Sequence, residues 1–138
     1  MKRQRDVVSE RIAEEAKKQK ALEEFYTACE KGHVDRVRIF CSKGIDVNYK
    51  YKHKRAALEV AALLGHVDVV KVLIQYGANI RRALFVATDK GHVDIVKVLI
   101  QNGADVNAAA VFEMRAIHIA ARKAHVDVLK VLLQNGAD

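Results

Sequence analysis

The 138-residue sequence predicts an all-α solenoid, a stack of helix-turn-helix units sharing one continuous core. Three observations carry that expectation. Gly32-His33-Val34-Asp35 returns as Gly65-His66-Val67-Asp68, Gly91-His92-Val93-Asp94 and Ala124-His125-Val126-Asp127, at intervals of 33, 26 and 33 residues. An apolar run at helical spacing follows each copy, and a glycine closes each run, at Gly44, Gly77, Gly103 and Gly136. A shorter, alanine-rich segment precedes each of the last three histidines. One such unit cannot bury its own apolar face, whereas stacked copies bury one another's.

Residues 1–21 are charge-rich, with Lys2, Arg3, Arg5, Glu14, Glu15, Lys17, Lys18 and Lys20. Val8, Ile12, Ala16 and Leu22 nevertheless keep approximate helical spacing, and Glu14 stands four residues before Lys18, a favourable pairing on a helix. This segment is expected to form a helical N-terminal cap that runs on into the first repeat through Phe25 and Tyr26. Repeats are expected at about 22–50, 51–83, 84–109 and 110–138. Their short helices cover Leu58 to Leu64, Leu84 to Lys90 and Ile117 to Lys123, where Ala61, Ala62, Ala87, Ala120 and Ala121 permit close approach. The longer helices carry Val69, Val70, Val72, Leu73 and Ile74, then Ile95, Val96, Val98, Leu99 and Ile100, then Val128, Leu129, Val131, Leu132 and Leu133. Lys71, Lys97 and Lys130 fall on their outer face. The closing glycines suit a helix C-terminus, where a left-handed residue is favoured.

The Gly-His-Val-Asp turns, the Val-Val-Lys-Val-Leu-Ile helices and endings such as Gly44-Ile45-Asp46-Val47-Asn48 and Gly103-Ala104-Asp105-Val106-Asn107 resemble the ankyrin repeat over about residues 22–138. That resemblance implies β-hairpin fingers between repeats and partner binding at finger tips and short-helix ends. The departures are specific. The family's Thr-Pro-Leu-His opening stands here as Ala56-Ala57-Leu58-Glu59, Arg82-Ala83-Leu84-Phe85 and Arg115-Ala116-Ile117-His118. The threonine caps are lost, and caps contribute about 0.5–2 kcal/mol each. The missing prolines fit natural divergence and an engineered scaffold equally. The 26-residue interval is seven residues short between Asn79 and Ala83, where a finger would be built.

Composition bounds the chemistry. Lys and Arg number 24 against 17 Asp and Glu, a formal charge of +7, and 51% of residues are hydrophobic, enough for a core. No apolar run approaches the ~20 residues a bilayer needs. No signal-peptide pattern opens the chain, and Cys29 and Cys41 are too few for a disulfide framework. An intracellular, cytoplasmic protein is expected, with the nucleus as the alternative suggested by Lys2-Arg3-Gln4-Arg5. The four turn histidines occur once per repeat, so stacking separates them, and no zinc-ligand spacing is present. The cysteines fall at core positions, the pairs Glu14-Glu15 and Glu23-Glu24 on solvated faces, and no phosphate loop or nucleophile elbow appears. Neither catalysis nor a cofactor or metal is expected.

Surface recognition is what remains. The first full finger reads Tyr49-Lys50-Tyr51-Lys52-His53-Lys54-Arg55, and the last reads Ala108-Ala109-Ala110-Val111-Phe112-Glu113-Met114-Arg115. Leu63 and Leu64 are adjacent, and successive helical residues point about 100° apart, so at least one faces the groove. Leu63, Leu64, Phe112 and Met114 are expected to form an apolar strip, the alternative being that Phe112 and Met114 fold back onto nearby helices. With Tyr51, these would anchor a partner protein, Tyr49 and His53 belong to the same binding surface, and Lys52, Lys54, Arg55, Arg81, Arg122 and Lys123 steer an acidic partner. Nucleic acid is not the expected partner, since Asp35, Asp68, Asp94 and Asp127 intersperse the charge. Self-association through the last finger, Leu132 and Leu133 is the alternative, and a regulatory segment of a larger protein a third.

Overall fold

The computed structural model describes residues 2–50 and 55–138, those before Asp6 by backbone only. Among the described residues eight α-helices follow one another: α1 (Lys2–Lys31), α2 (Val34–Ser42), α3 (Ala57–Leu64), α4 (Val67–Gln75), α5 (Ala83–Lys90), α6 (Val93–Gln101), α7 (Ala116–Arg122) and α8 (Val126–Gln134). They stack in two layers. The end of α1 packs on α2 and α3, and α5 lies between α3 and α7, while α2, α4, α6 and α8 line up behind.

Each long helix shows how its sequence selects the layer. In α4, Val69, Val70, Val72 and Leu73 are buried, and α6 repeats the set with Ile95, Val96, Val98 and Leu99. Lys71, Lys97 and Lys130 are exposed, as the periodicity demands. Asp35, Asp68, Asp94 and Asp127 occupy first turns, where a carboxylate complements the helix dipole. The core is one continuous cluster whose largest fully buried members include Leu58, Leu73, Leu84, Ile95, Leu99 and Leu132. Ala61, Ala62, Ala87 and Ala120 are buried between short helices. Ala121 is exposed because α7 has no described neighbour beyond it.

Helix α1 is unbroken through Phe25 and Tyr26, both buried. Packing begins only at Leu22; residues 6–20 are exposed all round, Val8 and Ile12 included, so that stretch projects beyond the array instead of covering it. The last finger consists of one antiparallel bridge, Ala109 with Arg115, around a tight turn. Between Asn79 and Ala83 the chain passes directly from one repeat to the next with no finger. Residues 51–54 of the first full finger lie outside the described residues.

Two kinds of hydrogen bond tie successive repeats. At the turn end, His66 Nε2 donates to the Glu30 carbonyl at 2.8 Å, His92 Nε2 to the Leu63 carbonyl at 3.1 Å and His125 Nε2 to the Asp89 carbonyl at 2.9 Å. A carbonyl only accepts, so Nε2 carries the proton in each. The turn glycine of the preceding repeat makes room for the ring: a Cβ on Gly32 would stand 2.7 Å from His66, on Gly65 3.1 Å from His92 and on Gly91 2.8 Å from His125. These glycines are also left-handed, and at the fourth turn, where no described ring follows, Ala124 takes the same conformation at φ 59°.

At the loop end, Asn48 donates from Nδ2 to the Gly77 carbonyl and accepts from the Asn79 N–H, at 3.2 and 2.8 Å. Asn107 repeats both bonds with Gly136 and Asp138, at 3.1 and 3.0 Å. Arg81 stands at the equivalent position of the shortened repeat, and the asparagine bridge is absent there.

Candidate functional site

The last finger is the most exposed apolar feature among the described residues. Phe112 is 93% exposed and Val111 74%. Phe112 and Glu113 both have positive φ, 59° and 58°, the requirement for the two central residues of a type I′ hairpin turn, which normally takes Asn-Gly. The turn is closed by the Met114 N–H on the Val111 carbonyl and by the Ala110 N–H on the Met114 carbonyl, at 3.4 and 2.7 Å. Left-handed backbone costs a side-chain-bearing residue about 1–2 kcal/mol, so the finger holds its aromatic ring outward at an energetic cost. Met114 behaves differently: it is half-buried, with Arg122 Nη1 4.0 Å from its sulfur.

The expected apolar strip is not continuous. Leu64 is 50% exposed and Leu63 half-buried. However, α5 lies between α3 and α7, and it places Asp89 and Lys90 where α3 has Leu63 and Leu64. Asp89 pairs with Lys123 at 3.5 Å, so a charged band divides the leucines from the finger. Leu132 is fully buried in the core, which removes it from any self-association surface, while Leu133 and Val126 are half exposed at 53% and 55%.

The basic residues separate similarly. Lys123 is occupied by Asp89 and Arg122 lies against Met114. Arg55 and Arg81 are exposed, and neither side chain makes an ion pair or hydrogen bond among the described residues. Tyr49 is half-buried; Tyr51, Lys52, His53 and Lys54 lie outside the described residues. Beneath the missing finger a cleft of about 350 Å³ opens, lined by Asn48, Lys50, Ala56, Glu59, Asn79, Arg81 and Arg82. Sequence reasoning noted the deletion but missed Lys50, Arg82 and Glu59 as lining residues; the shortened interval beside Arg81-Arg82 was the available signal.

Two thiols and a phenol are drawn into the core. Cys29 and Cys41 are buried free thiols, and burial foremost, then the neighbouring Cys41 and Glu30, pushes Cys29 up to about 12, away from a reactive thiolate. Burial also raises the Cys41 thiol and, with Glu30 and Glu59 nearby, the Tyr26 phenol. His118 Nδ1 accepts the Arg115 N–H at 3.0 Å, securing the start of α7 without the family's threonine. Among the described residues no cluster of His, Cys, Asp or Glu could hold a metal, and no helix is long and apolar enough to cross a membrane.

Fold and surface together define a stacked-repeat scaffold that displays side chains on fingers and inner helices. A family model described as ankyrin repeats (3 copies) matches residues 6–83 and 81–138, and the chain belongs to the ankyrin repeat family. Ankyrin repeats form a non-catalytic fold that generally mediates protein–protein interaction. The chain is 39% identical over 75 residues to histone-lysine N-methyltransferase EHMT1 of Mus musculus and Homo sapiens, covering 50% of this chain and 6% of each relative. It is 48% identical over 48 residues, 35% of the chain, to the E3 ubiquitin-protein ligase hecd-1 of Caenorhabditis elegans, 2% of that protein. An ankyrin repeat-containing protein of Saccharomyces cerevisiae matches at 41% over 59 residues, 43% of the chain and 12% of the relative. The chain thus spans a small part of each.

Proposed function

We propose that this chain is a protein-binding module that captures a partner through its fingers and inner-helix ends, inside the cell, where two unpaired buried thiols are at home. The observation that carries this reading is Phe112, almost wholly exposed on a left-handed turn that a glycine or asparagine would occupy more comfortably. Exposed aromatic anchors dominate many interfaces. Leu63, Leu64 and Tyr49 act as secondary contacts, Met114 supports the finger from behind, and Arg55 and Arg81 draw an acidic partner. Tyr51, Lys52, His53 and Lys54 belong to the same proposed surface, and Arg122 and Lys123 contribute charge at its far end.

The test uses Phe112→Gly and Phe112→Asn. Both are expected to raise thermal stability slightly by relaxing the turn, while affinity for a partner isolated with the wild-type chain, purified and titrated calorimetrically, falls by about thirtyfold, the loss a dominant anchor produces. Unchanged affinity sinks the assignment. Exposure of Leu133 and Val126 favours self-association as a second reading. Light scattering across a concentration series decides it: a dimer abolished by Leu133→Lys supports it, and a constant monomer mass removes it.

A further inference from the structure

We infer that the cleft left by the missing finger is a binding site for an acidic peptide segment. This rests on the reading of the chain as a protein-binding module but on different residues from the Phe112 finger. Three cations, Lys50, Arg81 and Arg82, line the cleft. None makes an ion pair with a described residue, although the loops that carry them are fastened. Asn48 donates its backbone N–H to Asp46 Oδ1 at 3.0 Å and bridges through its side chain to Gly77 and Asn79. Asn79 Oδ1 in turn accepts the Arg81 N–H at 3.0 Å. The backbone that carries Arg81 is therefore held while its guanidinium is left free, a preorganised arrangement for carboxylate capture.

Glu59 decides the class of ligand. It also lines the cleft, where its carboxylate makes no hydrogen bond or ion pair with a described residue and its oxygens are not fully buried. A carboxylate that meets the cleft offers acceptors to a ligand's N–H. A ligand that suits both Glu59 and the three cations must bring acids to the rim and an N–H donor to the floor. A peptide with Asp or Glu side chains supplies both from one backbone. Inorganic polyphosphate supplies only acceptors and is opposed by Glu59.

Fluorescence anisotropy with a labelled, glutamate-rich peptide, against inorganic polyphosphate as competitor, tests this directly on the whole chain. Wild type is expected to bind the peptide with an affinity that weakens as salt rises through the physiological range. Arg81→Asn with Arg82→Gln, both exposed positions, is expected to lower affinity by at least about tenfold without lowering thermal stability. Glu59→Ala is expected to weaken the peptide and strengthen polyphosphate, a crossed response that a merely structural glutamate does not give. Phe112→Gly is expected to leave peptide binding unchanged, so failure here leaves the finger reading standing, and the converse. Peptide binding unaffected by the arginine pair, or polyphosphate preferred by wild type, overturns the inference.

Discussion

The middle junction of the stack differs from the two beside it. Between the first and second repeats, and between the third and fourth, a histidine secures the turn end and an asparagine the loop end. Between the second and third only the histidine remains, with the longest of the three bonds, 3.1 Å, and the loosest glycine-ring approach. The asparagine's place belongs to Arg81. A repeat can therefore lose its finger and its loop bridge and still stack, provided that its helices and turn are intact. The residue released from structural duty becomes available to a ligand.

Turn glycines give the largest way to break this comparison. Gly32→Ala and Gly91→Ala force a methyl into the next histidine ring and a side chain into left-handed backbone, and each is expected to cost about 2 kcal/mol or more. Gly65→Ala, with its wider approach, should cost less, and equal urea-denaturation losses at all three would contradict the looser middle junction. Ala124→Gly, with no ring to meet, should instead gain about 1 kcal/mol.

Removing the loop bridges comes next. Asn48→Ala and Asn107→Ala are each expected to cost about 1 kcal/mol by thermal or urea melting, the net value of a typical exchanged hydrogen bond. Arg81→Asn rebuilds the bridge towards the Gly103 loop and should gain up to about 1 kcal/mol. Native-state hydrogen exchange should then show the middle junction's opening suppressed; an unaltered pattern would mean that the loop end contributes nothing there.

The last effect is nil at neutral pH and grows only in alkali. The Cys29 thiol, ordinarily at 9.0, is held up to about 12 in the fold, chiefly by burial. Below about pH 9 both states keep the proton; above it the unfolded chain releases it first, so stability falls as pH rises towards 12. Cys29→Ala is expected to flatten this alkaline decline, measured as urea midpoints on either side of pH 9.

The helices and their layers were legible in the sequence because periodic burial leaves periodic apolar residues: Val70, Val96 and the alanines before each histidine announce their own environment. The histidine turn was legible as a position, but its hydrogen bond was not, since the partner carbonyl lies a repeat away. The finger's ring was legible as apolar, yet whether Phe112 turns outward depends on two dihedral angles that composition does not encode. Met114 and Leu132 show the same limit from the other side, as equally apolar residues that the fold draws inward. The strip failed because Asp89 and Lys90 on α5 intervene between segments that sequence reading considered separately.

The uneven fastening of the junctions also governs how the stack behaves as a mechanical object. A load applied along its axis is borne in series, so extension concentrates where stiffness is least. With the loop bridge absent there, the stack parts first behind Leu63 and His92, yielding two-repeat halves that each keep both fasteners. The deletion thus converts a uniform spring into two stiff segments joined by a compliant one.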